Sequence, residues 1–355
     1  LIRGARQVLT LQGPARMRVG NELDNPAVLR DASLLIENGR IAQIGATRRL
    51  ENLRGTTSPT WVDARNLVVI PGFVDAVGDL NAPGDGQDAA GGGWLSRRLT
   101  KDVQGLALAG STFVRARVWL PSEAGERGRV LRQLLRADLP PGCFQVGLRP
   151  DAATMHAHPP PNLGLRHLLP APTREHLREL APLLAMDLSG DVLRAMEADK
   201  RLPLLRSAAQ SAPCVVSGVG EWTVRELLDL SLVIRFQAEG VLPDDASAAQ
   251  LAQWGFPWLA YAGCAALDGE AWVERVPRAL EQGLALALAT GYRRDGPGVL
   301  SPLGLLALLR QRTGLGAAQL LQLQIANTAH ALGVGDRMGS LETGKEANLL
   351  LVECE

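Results

Sequence analysis

Val68-Val69-Ile70-Pro71-Gly72-Phe73-Val74-Asp75-Ala76-Val77-Gly78-Asp79-Leu80 is an apolar run broken by Pro-Gly and continued by an alternating segment. Alternate residues of a strand share a face. Phe73, Asp75, Val77 and Asp79 are therefore predicted to point one way, with two carboxylates among them. A proline-glycine break marks the passage from one element to the next.

Working outward toward the N-terminus, Ala32-Ser33-Leu34-Leu35-Ile36-Glu37 and Arg40-Ile41-Ala42-Gln43-Ile44 flank Asn38-Gly39. Asn-Gly between two β-rich runs is the strongest short hairpin signal. With Val8-Leu9-Thr10-Leu11 this predicts a small β-domain ahead of residue 67. Beyond residue 80, strand-like runs alternate with longer helical patterns, the mark of a parallel α/β sheet. Strands are predicted at 111–116, 144–148, 232–236 and 284–288, and helices at 127–137, 174–185, 224–230, 302–312 and 317–332. Gly333 closes the last of these as a C-terminal stop.

The chain has 355 residues, 46% hydrophobic and 21% charged, with 37 basic and 37 acidic residues and a formal net charge of zero. That balance argues against nonspecific nucleic-acid or anionic-membrane binding, which needs a basic excess. No apolar run approaches the roughly 20 residues of a bilayer span. No signal-like hydrophobic region opens the chain, so a cytoplasmic protein is expected. Cys143, Cys214, Cys264 and Cys354 are scattered, without zinc-cluster spacing, and are read as reduced thiols.

The opening stretch resembles the first barrel strand of the metal-dependent amidohydrolase superfamily, which reads P-G-F-V-D-A-H-x-H. The tail Gly339-Ser340-Leu341-Glu342-Thr343-Gly344-Lys345-Glu346-Ala347-Asn348 resembles the same superfamily's C-terminal motif. The first fourteen residues, Gly84-Asp85, Ala90-Gly91-Gly92-Gly93 and His156-Ala157-His158-Pro159-Pro160 are similar to imidazolonepropionases, ring-opening hydrolases of histidine degradation. The resemblance implies an α/β fold: a TIM-like (β/α)8 barrel of roughly 250 residues over 67–333, with a composite β-sandwich from 1–66 and 334–355. It also implies a zinc or iron ion at the barrel mouth that activates water.

The ligand positions depart from that pattern. Val77 and Asp79 stand for the two His of strand one; Ser207 is expected at the strand-five His. The sixth-strand His falls in Phe236-Gln237-Ala238-Glu239-Gly240, and Gly291 follows Ala289-Thr290 where the family has Asp. On the substrate side, Gly86 replaces an Arg suited to carboxylate binding, and the following loop shrinks to Gln87-Asp88-Ala89. The reading is a catalytically degenerate, metal-free homologue acting by binding, as a scaffold or as the inactive partner of an active paralogue in a homo- or hetero-oligomer. Two alternatives stand beside it. One is a C–N hydrolase on lactam or imidazolone-like bonds using Asp79, His156, Glu239 or Asp295. The other is a small-molecule sensor at the barrel mouth.

Other features read more simply. His156-Ala157-His158 runs into a triple proline and is expected in a loop, where zinc would still want three or four firm ligands. Asp75 and Asp79 could form an acid/base pair, or Asp79 could be satisfied by Arg115, Arg117 or Arg206. Ser217 lacks the first Gly of G-x-S-x-G and any evident His partner. Trp254 and Trp258 make an aromatic patch with Phe256, either core or intersubunit surface.

Overall fold

The computed structural model describes all residues except 52–59, 80–93, 136–143, 158–183, 220–221, 232–235, 263–270, 292–300 and 354–355. Gly84 to Gly93, His158, Asp295, Cys143, Cys264, Cys354 and residues 232–235, four of the five in a predicted strand, lie outside the described residues.

Both ends of the chain meet in one six-stranded sheet. It contains β1 (Ile2–Leu9), β2 (Val28–Glu37), β3 (Arg40–Ala46), β4 (Val62–Asp63), β5 (Leu67–Pro71) and β14 (Leu349–Glu353), in the order β14-β5-β1-β2-β3 with β4 beside β1. The hairpin turns at Asn38 and Gly39, with φ of 51° and 74°. A two-residue turn of that hand matches the twist of its strands. Ile2, Ala5, Val8, Ala32, Leu34, Ile41 and Val69 pack with Leu341 into this sheet's own core. The tail motif has a structural use. Gly344 N–H donates to Ile41 O at 2.8 Å, and Lys345 Nζ donates to Gly335 O and Ser340 Oγ at 2.7 and 2.6 Å.

β5 pairs with β14 through Pro71, so the terminal sheet keeps five residues beyond the boundary drawn at 67. Gly72 is the crossing point: its N–H donates to Asn348 O at 2.9 Å, and a Cβ there would collide with the Thr112 side chain. Gly72→Ala is expected to lose about 1–3 kcal/mol, the usual range for an overpacked site. Urea denaturation read by circular dichroism checks it, and an unchanged midpoint would contradict this account of the Pro-Gly pair.

Eight parallel strands follow: β6 (Phe73–Asp79), β7 (Ser111–Leu120), β8 (Phe144–Pro150), β9 (Leu184–Ser189), β10 (Cys214–Ser217), β11 (Phe236–Gly240), β12 (Pro257–Tyr261) and β13 (Ala285–Ala289). They neighbour one another in sequence order. Helices such as Trp94–Leu108, Ala198–Ser211 and Ala271–Glu281 connect them, and Leu286, Leu288, Trp258 and Trp272 bury between sheet and helices. Segment 332–338 plugs the N-terminal end, where Leu332, Val334 and Met338 pack with Val74, Phe113 and Leu259.

β13 returns to β6 through side chains and backbone together. Gly291 N–H donates to Ala76 O at 3.1 Å, while Thr290 donates its N–H and hydroxyl to the Asp75 carboxylate at 2.8 and 2.6 Å. Asp75 is thus fully buried in the barrel seam and is not the mouth-facing partner of Asp79 that the alternation predicts. Register irregularities between Phe73 and Val74, and between Val77 and Asp79, break that alternation.

Three other sequence expectations change. Residues 204–208 lie on the helix Ala198–Ser211, so Ser207 is not at a strand end; the fifth strand is β10 and ends at Ser217. Residues 184–185 open β9, a strand the sequence reading took for the end of a helix. His156 lies on the short helix Ala152–Ala157 and not in a loop. The region 317–331 is helical as predicted, but its centre, Gln322–Asn327, is a π-turn that carries Gln322, Gln324 and Asn327 inward. The wider turn lets Asn327 Nδ2 donate to both Arg18 O and Leu286 O at 2.9 and 2.8 Å, tying the N-terminal segment to the barrel. Among the described residues, no helix is long and apolar enough to cross a membrane.

Candidate active site at the barrel mouth

The C-terminal strand ends carry an ionic cluster. Alternation on β7 puts Arg115, Arg117 and Trp119 on one face, in register with Gln145, Gly147 and Arg149 of β8. At the centre is Asp187 of β9. Its Oδ2 accepts from Arg117 Nε at 2.6 Å, and its Oδ1 accepts from Arg149 Nη2 at 2.6 Å and from Ser217 Oγ at 3.0 Å. Arg149 also bonds to Ser217 Oγ. The guanidinium of Arg149 stacks over Trp119 at 5.2 Å and that of Arg117 over Tyr261 at 5.9 Å.

Asp187, Arg149, Ser217 and Arg115 are all buried. Burial alone would raise the Asp187 pKa, but the Arg117 and Arg149 guanidiniums outweigh it and hold the carboxyl at about 2. Burial lowers the pKa of Arg115, opposed by its neighbours Tyr261 and Asp187. Asp187 is therefore an ionised acceptor across the whole neutral range, with both oxygens engaged, and has no proton to transfer. Ser217 gives its hydroxyl to that carboxylate and stands as a structural link, in keeping with its missing histidine partner.

The predicted site residues fall unevenly around this cluster. Glu239 pairs in register with Ser217 at the end of β11, and Asp79 pairs with Arg117 at the end of β6. Gly291 follows β13, beside the Asp75–Thr290 seam. Ser207 is on an outer helix with Arg206, which is exposed there and cannot serve the mouth. Arg117, one of the partners expected for Asp79, is bound to Asp187. Asp187 and Arg149 were missed by sequence reasoning. The signal was present in Leu184-Ala185-Met186-Asp187-Leu188-Ser189, where one acid interrupts an apolar run, and buried acids need partners.

No family model matches the chain. It is 26% identical to the imidazolonepropionase of Solibacter usitatus (strain Ellin6076), covering 99% of this chain and 91% of that protein. The imidazolonepropionase of Chloroflexus aggregans is 24% identical, with 100% and 92% covered. The atrazine chlorohydrolase of Arthrobacter aurescens TC1, solved with zinc, superposes with a TM-score of 0.65 at 17% identity over 99% of this chain and 86% of that one. A Xaa-Pro dipeptidase superposes at 0.64 with 15% identity over 100% and 93%. The chain is similar to imidazolonepropionases over nearly its whole length and shares the fold of these solved hydrolases. The Solibacter alignment runs over 400 residues against 355 here, so the relative carries insertions that this imidazolonepropionase-like chain lacks.

Among the described side chains at the strand ends, those of β10 and β13 are poor donors for a zinc or iron ion. Zinc takes three or four His, Cys or carboxylate ligands. Here β10 ends in Ser217, committed to Asp187 and Arg149, and β13 is followed by Thr290, committed to Asp75, and Gly291. Two guanidiniums also face the mouth beside Asp187, and fixed positive charge disfavours a second cation at short range.

Proposed function

We propose that this amidohydrolase-fold protein binds rather than hydrolyses, with the barrel mouth held by an ion cluster where its relatives would keep a metal centre. The observation that carries the reading is the Arg117–Asp187–Arg149–Ser217 network, which fills inward positions on four successive strands and leaves Asp187 no spare oxygen. Such a mouth suits a scaffold, an inactive partner of an active paralogue in a homo- or hetero-oligomer, or a sensor for a small ligand. Asp79 and Glu239, on β6 and β11, support the hydrolase alternative as the two carboxylates whose strand positions end at the mouth.

Elemental analysis of protein purified without chelator or His-tag separates the two. Less than about a tenth of an equivalent of zinc, iron or manganese is expected, because metal-assisted hydrolysis needs a bound ion in each molecule. A near-stoichiometric metal that is lost in Asp79→Ala, together with turnover of a lactam or imidazolone, would overturn the proposal.

A further inference from the structure

The 332–338 segment seals the end of the barrel opposite the mouth, and His330 stands at its root. His330 belongs to the short helix Thr328–Ala331, one turn after Asn327, and its carbonyl accepts from Gly333 N–H at 3.1 Å. Gly333, with φ of 72°, turns the chain into the sealing segment. Leu332 and Val334 donate their N–H groups back to Thr328 O and Ala329 O, both at 2.8 Å. The segment therefore hangs from the helix that carries the imidazole. Gly335 then folds against the ring, where a Cβ on it would lie 2.3 Å from Nδ1.

Two other pieces of chain bring fixed cations to this imidazole. Arg18 is buried, its backbone N–H held by Asn327 Oδ1 and its guanidinium by Leu11 O. Lys345 donates to Gly335 O at 2.7 Å, on the residue that touches the ring. The imidazole itself has no hydrogen-bond partner among the described residues. Burial pushes its pKa down to about 4 from 6.5; Arg18 and Lys345 add to the shift, while Asp336 and Glu342 oppose it. His330 also lines a cavity of about 770 Å³ together with Arg115 and Cys214, whose thiol burial keeps neutral. None of the described residues lining that cavity is acidic, so a proton on the ring finds no counter-charge there.

We propose that His330 is an acid-sensitive latch, whose protonation beside Arg18 and Lys345 releases the 332–338 segment and opens the floor of the barrel. A proton adds a third positive charge to a ring that has no bonded acceptor, and the released segment lets the imidazolium reach water. With the closed-state pKa depressed, the open form takes up the proton first. Opening therefore grows as the pH falls below 6.5 and levels off near 4. At pH 5 the open population is about thirtyfold larger than at pH 7.5. Displacing Leu332 and Gly333 uncovers Val215, Phe256 and Pro257, which line the same cavity. The latch is separate from the mouth cluster and does not depend on whether the mouth binds or hydrolyses.

Native-state hydrogen exchange of the full chain, read by NMR and corrected for the intrinsic pH dependence of exchange, tests this. The Leu332, Val334 and Met338 amides, all hydrogen-bonded within this region, are expected to lose protection about thirtyfold between pH 7.5 and pH 5. The amides of β13 are expected to keep theirs. His330→Gln, neutral at every pH, is expected to abolish the loss. Should that variant fail to fold, the Cε1–H titration of His330 in the parent decides, and an imidazole titrating near its ordinary pKa of 6.5 would overturn the proposal. So would protection that does not change with pH, or an equal loss in His330→Gln. An equal loss throughout β13 would overturn it too, since that is global unfolding and not the release of one segment.

Discussion

Asp187→Ala is expected to destabilise the protein by about 3–5 kcal/mol, the cost of stranding buried charge when one partner of an ion pair is removed. Two guanidiniums, Arg117 and Arg149, would lose their shared carboxylate, and Ser217 would lose its acceptor. Chemical denaturation gives the loss directly. The companion variant Arg117→Met/Arg149→Met/Asp187→Leu removes all three charges, and apolar groups of similar volume often replace buried ion clusters at no cost. Recovery of most of the stability in the triple variant would show that the single loss comes from unpaired charge. An Asp187→Ala protein as stable as the parent would refute the cluster's structural weight. The pH dependence has a definite sign. With the folded carboxyl depressed to about 2 from 3.8, its contribution of about 2 kcal/mol is fully present above pH 4. That contribution disappears as the pH falls toward 2.

Asp75 has the opposite sign. Burial raises its pKa to about 6, although the hydrogen bonds from Thr290 and Ala76 pull it down. A raised carboxyl favours the protonated folded state, so its favourable term is complete below pH 4 and is lost as the pH rises through about 6. Asp75→Asn keeps an acceptor for the Thr290 and Ala76 amides and supplies an N–H for the Thr290 hydroxyl. It is expected to match the parent near pH 4 and to exceed it by up to about 3 kcal/mol at pH 7.5, the free energy equivalent of the shift. Urea titrations at the two pH values test it, and a difference independent of pH would contradict the burial argument. Asp75→Ala lacks the acceptor and should open the seam between β6 and β13, costing stability at both pH values.

Legibility in the sequence followed the range of the interactions involved. Asn38-Gly39 announced its turn because two adjacent residues with positive φ suffice to make it, and Gly333 ended its helix for the same local reason. The helices 124–135, 224–231 and 302–313 were readable within a few residues at each end. The strand Leu184–Ser189 was not, because a short apolar run has no periodicity to separate strand from helix. That one miss concealed Asp187. It also left residues 204–208 to stand for a strand end, though Pro203 lies within their helix. The π-turn at 322–327 was hidden for a different reason: its inward side chains donate to carbonyls far away in the chain, Gln322 to Asn25, Gln324 to Val74 and Asn327 to Arg18 and Leu286.

The amino-acid sequence by itself determined the class of fold, through alternating strands and helices, the Pro71-Gly72 crossing and the tail motif around Gly344-Lys345. It also carried the expectation that histidine ligands are missing from the barrel mouth, Val77 and Asp79 standing where two would be. Only the tertiary structure decided which described side chains meet there. Arg117, Arg149, Asp187 and Ser217 come from four different strands, and nothing in their spacing brings them together before the barrel closes. Asp75 likewise reads as a mouth residue until the register places it in the seam. Charge burial and hydrogen-bond satisfaction are properties of the folded whole, and they assigned these residues their roles.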